Sequence, residues 1–181
     1  MWTAARVEAV RAALIAIGLA ALARGPALAM TLTSGDLTDG APMPAAHVYT
    51  RCGGGNVSPQ LAWRGAPAAT KSFVVTMIDF SVPPNDWSHW IVVDLPAGVA
   101  SLARGAAPPA GAHGVTSDLG DAVYDGPCPP AGSGVHRYEI TVWAMPLATT
   151  RVRAESAKAL AQGLKATALD HATITVTAET P

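Results

Sequence analysis

The sequence predicts an all-β domain with a single helix near its C-terminus. Three observations predict it: short apolar runs of strand length, Gly and Pro clusters that punctuate them at short intervals, and one isolated stretch of helical periodicity. Ahead of this domain, residues 1–29 read as an export signal. Arg6 and Arg11 precede an apolar run from Ala12 to Ala23, and Ala27-Leu28-Ala29 forms a small-x-small cleavage site. A membrane-spanning helix needs about 20 apolar residues. The run ends at Arg24, so the expected product is a mature domain over residues 30–181, released to the periplasm or outside the cell, with no transmembrane segment of its own; an uncleaved anchor is the alternative.

The strands follow in order. KSFVVTMID (71–79) and HWIVVDL (89–95) are nearly continuous apolar, β-branched runs, as strands buried on both faces require. Tyr138 to Met145 is apolar with Glu139 and Thr141 interposed. Ile174, Val176 and Ala178 alternate with Thr173, Thr175 and Thr177, the period of a strand with one wet face. The helix is predicted where Ala157, Leu160, Ala161 and Leu164 fall at i, i+3, i+4 and i+7.

Charge excludes one class of function. The chain carries a formal −1, and loss of a leader with three Arg and one Glu makes the mature form −3. Nucleic-acid binding normally shows as a basic patch or stripe, and none is present. The two cysteines, Cys52 and Cys128, both lie in the exported part. An even count in an oxidising compartment favours a disulfide between them, with two buried reduced thiols as the alternative.

The stretch DFSVPPNDWSHW (79–90) carries the chemistry. If the strands ending at Asp79 and starting at His89 pair as an antiparallel hairpin, the carboxylate and the imidazole share one rim of the sheet. Pro83 and Pro84 stiffen the connecting loop. GPCPPAGSGVHRY brings Gly126, Pro127 and then His136 to the start of the strand opening at Tyr138, within reach of the same rim. Such a mouth has several readings. A hydrolase needs a positioned nucleophile, and no G-x-S-x-G elbow is present. His89, His136 and Asp79 offer zinc ligands, but their spacing matches no compact metal signature. Gly53 to Gly55 lack the Lys-Ser/Thr pair and the helix of a phosphate loop. Two imidazoles near a carboxylate tend to take up protons and could hold an anion. On the residues alone the favoured reading is that histidines set among tryptophans are packed, hydrogen-bonded core residues.

CGGGNVSPQLAW (52–63) resembles the C-D-G-x-N-x-S-P-x-L-x-W segment of bacterial phosphatidylethanolamine-binding proteins, the Raf-kinase-inhibitor-like proteins. WSHW (87–90), YDGPCPP (124–130) and VHRY (135–138) resemble three further motifs of that family in the same order and spacing. The resemblance extends from Leu32 to about Thr177. It implies a β-sandwich of a large and a small sheet with a short helix near the C-terminus. It also implies a shallow pocket for phosphate or phosphorylated head groups, formed by Asp79, Pro83, His89, Gly126, Pro127, His136 and Tyr138, with Trp87 near the mouth. Both imidazoles and the loop N–H groups are then expected to donate to the anion, Tyr138 to add a hydroxyl, and Asp79 to orient or charge a ring. Where the family reads D-P-D-x-P, this chain reads Asp79-Phe80-Ser81-Val82-Pro83, so the second acid expected at the mouth is a serine. A counterpart of the extra C-terminal helix of animal members is not expected after the final strand. The expectation is an exported binding protein for a small anionic ligand, not an enzyme and with no cofactor. The alternative is a protein partner, an enzyme such as a protease, inhibited through the same mouth.

Overall fold

The computed structural model describes residues 29–151 and 155–180; the leader predicted over 1–29 therefore lies, except for Ala29, outside the described residues. Strands β1 (Thr31–Thr33), β2 (Leu61–Arg64) and β5 (Ser101–Leu102) form a small sheet in the order β1-β2-β5. A five-stranded sheet takes the order β6-β4-β3-β7-β8, from β3 (Ser72–Asp79), β4 (Trp87–Pro96), β6 (His113–Gly114), β7 (His136–Met145) and β8 (Asp170–Ala178). Every named pairing is antiparallel. β3 is central and all eight of its residues are buried, which is why its sequence is almost uninterrupted in apolar character.

Alternation assigns the faces of the large sheet. Phe73, Val75, Met77, Ile140, Val142, Ile174 and Val176 point into the sandwich, where they pack with Leu61 and Trp63 of the small sheet. Val74, Ile91, Val93, Trp143 and Met145 point the other way, under α1 (Ala157–Thr167). The helix begins where the side chain of Ser156 accepts a hydrogen bond from the Ala159 N–H at 3.1 Å. It buries Ala157, Leu160 and Leu164 as the periodicity predicts. The outer edge of β8 is covered by residues 39–43. Gly40 and Met43 donate to the carbonyls of Thr175 and Thr177, Thr177 donates back to Ala41, and the Asp39 carboxylate accepts from the Thr175 N–H. That pairing covers the edge of β8 at Thr175–Thr177.

Two strand boundaries differ from the sequence expectation. β4 starts at Trp87 rather than His89, and β7 at His136 rather than Tyr138. Both histidines therefore lie within strands rather than on the connecting loops. No helix among the described residues is long and apolar enough to cross a membrane.

Candidate functional site

On β7 the inward row runs Val142, Ile140, Tyr138, His136, from apolar core to ring nitrogen. Asp79, at the end of β3, pairs in register with Tyr138 on one side and with Trp87 of β4 on the other. Cross-strand partners share a face, so the carboxylate, the phenol and the indole emerge on one side of the sheet.

His89 reaches that side through a β-bulge. Ile78 pairs with Ser88 and Met77 with Trp90, leaving His89 as the extra residue. Strict alternation would send His89 and Trp90 to opposite faces; the bulge lets Trp90 enter the sandwich core while His89 turns to the cavity.

The cavity has a volume of about 310 Å³. Asp79, Trp87, His89, Gly126, His136 and Tyr138, six of the residues singled out from sequence, line it. Pro83 and Pro127 do not. Pro83 is exposed on the loop, joined to Pro84 by a cis peptide, and Val82 takes the place on the wall. Pro127 is buried behind the wall, its carbonyl accepting from the Tyr49 N–H at 3.1 Å. Tyr49, Leu119, Cys128, Pro129 and Pro130 complete the lining. Leu119 and Trp87 stay 41% and 39% exposed, which makes the rim apolar.

The two rings are held differently. His136 donates through Nδ1 to Asp79 Oδ2 at 2.6 Å, and Asp79 Oδ1 accepts from the Ser81 N–H at 2.8 Å. His89 Nδ1 faces the carbonyl oxygen of Asp125 at 3.2 Å. A carbonyl only accepts, so Nδ1 carries the hydrogen there too. Among the described residues neither Nε2 has a hydrogen-bond partner, and neither is sealed from solvent. Tyr138 separates the rings, edge-on to His89 with centroids 5.2 Å apart and stacked on His136 at 6.4 Å. Burial, and secondarily the Asp79 carboxylate, push the Tyr138 pKa well up, so it is a neutral phenol.

Three expectations need correction. His89 is not a resting cation: burial lowers its pKa, outweighing the opposite pulls of Asp79, of the Asp125 and Gly126 carbonyls, and of Asp118. The Gly126 N–H is not free for an anion, since it donates to Asn56 Oδ1 at 2.7 Å. Ser81 does not face the mouth; its hydroxyl accepts from the Arg137 N–H at 2.8 Å and it is absent from the cavity lining. Among the described residues no group of three or more His, Cys, Asp and Glu gathers around a metal position.

Sequence reasoning missed Asn56. It sits in the left-handed region at φ 51°, and its amide bridges the loop behind His89, donating to the Tyr124 carbonyl at 3.4 Å and to Asp125 Oδ1 at 3.3 Å while accepting from Gly126. The signal was an Asn directly after the Gly53–Gly55 turn, a residue that tolerates this conformation and bonds locally. The same two segments are joined by the disulfide Cys52–Cys128, with Cα atoms 5.6 Å apart. Gly126 has to be glycine, because a Cβ there would overlap the His47 carbonyl oxygen and lie 2.7 Å from the Tyr49 nitrogen.

Residues 33–179 match the family model described as phosphatidylethanolamine-binding protein. YbhB of Escherichia coli K12 is 45% identical over 124 residues, which are 64% of this chain and 78% of the relative. YbcL of the same organism is 38% identical over 143 residues, 74% of this chain and 78% of the relative. The E. coli YbcL crystal structure, described as a new member of the mammalian PEBP family, superposes with a TM-score of 0.75 at 35% identity, covering 84% of this chain and 99% of that one. LppC of Mycobacterium tuberculosis, named as a lipoprotein, is 39% identical over 119 residues, 66% of this chain and 57% of the relative. The chain belongs to the phosphatidylethanolamine-binding protein family.

Proposed function

We propose that this member of the family is an exported binding protein whose cavity takes phosphate or a phosphorylated head group. The observation that carries the reading is the pair of imidazoles, His89 and His136, each anchored through Nδ1 and each leaving Nε2 open in a cavity of about 310 Å³. Ring nitrogens anchored in this way are preorganised, so little ordering cost falls on the ligand. Export draws support from the leader pattern over 1–29, from the Cys52–Cys128 bridge, and from similarity to a relative named as a lipoprotein. The role is binding rather than turnover. The polar side chains on the cavity wall are two imidazoles, the tyrosines Tyr49 and Tyr138, the Trp87 indole and a carboxylate already bonded to one ring, and the wall sulfur of Cys128 is held in the disulfide.

Calorimetric titration of inorganic phosphate into the wild type, His89→Ala and His136→Ala tests this. Each substitution is expected to weaken binding by about 1.5–3 kcal/mol, the contribution of a hydrogen bond to a charged group. Undiminished binding by the double variant would place the anion elsewhere. A second reading, a protein partner held at the same mouth, is favoured by the exposed Trp87 and Leu119 on the rim. Substituting those two and leaving the rings intact separates the readings: partner capture is lost and phosphate binding is retained.

A further inference from the structure

Resting on the anion-binding reading, we infer that the cavity selects ligands that bring their own acidic hydrogen, phosphomonoesters in their monoanionic form, over phosphodiesters of the same charge. Which ring atoms carry hydrogen decides the selection. His89 Nδ1 is committed as a donor to the Asp125 carbonyl at 3.2 Å, so in the neutral ring Nε2 holds a lone pair and only accepts. His136 is arranged otherwise, because its Nδ1 partner at 2.6 Å is the Asp79 carboxylate rather than a carbonyl. His89 has no carboxylate in hydrogen-bond contact; its Nδ1 partner is a neutral carbonyl. The two open Nε2 atoms thus differ in kind, and at least the one on His89 is an acceptor.

A phosphomonoester monoanion presents a P–OH donor beside charged P–O acceptors. Its hydroxyl donates to His89 Nε2, and its charged oxygens lie toward the His136 ring. A phosphodiester carries the same single negative charge without the hydrogen. Its oxygen then meets the His89 lone pair, two acceptors facing each other, unless a proton is drawn from solution. Burial lowers the His89 pKa against the weaker pulls of Asp79, of the Asp125 and Gly126 carbonyls and of Asp118, which favours the neutral ring that carries this lone pair. The apolar rim of Val82, Trp87 and Leu119 accommodates a hydrophobic substituent on either type of ligand, so the rim does not produce the discrimination.

The experiment is calorimetric titration with phenyl phosphate and with methyl phenyl phosphate at pH 5.5. A phosphomonoester loses its second proton near about pH 6, so at this pH the two ligands are close to charge-matched. The wild type is expected to bind the monoester roughly tenfold more tightly, the scale of one buried polar group left unsatisfied. His89→Gln, whose amide can turn to offer either a donor or an acceptor, is expected to bring the two affinities together; circular dichroism confirms that it is folded. Equal affinities in the wild type overturn the selection and leave the anion site standing. A preference that persists in His89→Gln overturns the assignment to His89. Failure of both ligands to bind overturns the anion site itself.

Discussion

Replacing both cysteines, Cys52→Ala with Cys128→Ala, is expected to lower stability substantially while leaving the cavity intact. The bridge closes a sequence separation of 76 residues, for which the chain-entropy model assigns about 4 kcal/mol, acting on the unfolded chain. In a domain of this size each kcal/mol moves the melting midpoint by roughly 2–4 °C, so the double variant should melt about 8–16 °C lower. The folded wall is expected to survive because the joined segments share other ties. Tyr49 N–H donates to the Pro127 carbonyl at 3.1 Å, the Tyr124 hydroxyl to the His47 carbonyl at 2.7 Å, and Gly126 N–H to Asn56 Oδ1 at 2.7 Å. Differential scanning calorimetry gives the midpoint, and phosphate titration at 15 °C reads the cavity. A midpoint shift under about 3 °C would refute the loop-closure argument. Loss of phosphate binding in a protein that is still folded would show that the bridge, not the hydrogen bonds, shapes the wall.

The depressed pKa of His89 makes acid destabilising. Its contribution is fully present above the unfolded value near 6.5 and is lost as pH falls through the lower folded value, so urea midpoints should drop from pH 8 to pH 5 by more in the wild type than in His89→Phe. Gly126→Ala drives a methyl into the backbone of His47 and Tyr49 and is expected to cost about 1–3 kcal/mol in a urea melt. The same substitution should weaken phosphate binding, because the neighbouring Asp125 carbonyl that holds His89 moves with the loop. Ser81→Asp should leave the ratio of affinities for phosphoethanolamine and a simple phosphomonoester within about twofold, since an exposed charge outside the cavity contributes little. A larger shift in paired titrations would mean that residue 81 faces the ligand after all.

Much of the fold was legible because alternation and burial write directly into residue type. The near-continuous apolar run of β3 announces a central strand, and the Thr-spaced run of β8 announces one wet face. The same alternation correctly sets His136 and Tyr138 on one side and Arg137 and Glu139 on the other. At His89 alternation misleads, because a bulge is a backbone event with no fixed side-chain signature. The hydrogen-bond roles of the loop were illegible for a related reason. Whether the Gly126 N–H is free depends on Asn56, 70 residues away in the chain. The rim residues Val82 and Leu119 come from irregular segments, where no period says which way a side chain turns.

The departures at residues 80 and 81 follow from the same alternation. Asp79 belongs to the inward face, so Phe80 turns to the face that carries α1, where the Arg137 guanidinium lies 5.6 Å from its ring centroid. Ser81 follows in the turn, its N–H closing on Asp79 Oδ1 and its hydroxyl accepting from Arg137 N–H. Together these contacts clamp the end of β3 to the start of β7, the two strands that supply Asp79 and His136. An acid at position 81 has no place in that clamp as an added cavity charge. What the Ser81 side chain adds is the hydroxyl that accepts from the Arg137 N–H, while its backbone N–H, which any residue but proline would supply, and the His136 ring both donate to the Asp79 carboxylate. The negative charge of the site thus stays behind His136, at its Nδ1, and leaves the opposite ring nitrogen facing the ligand.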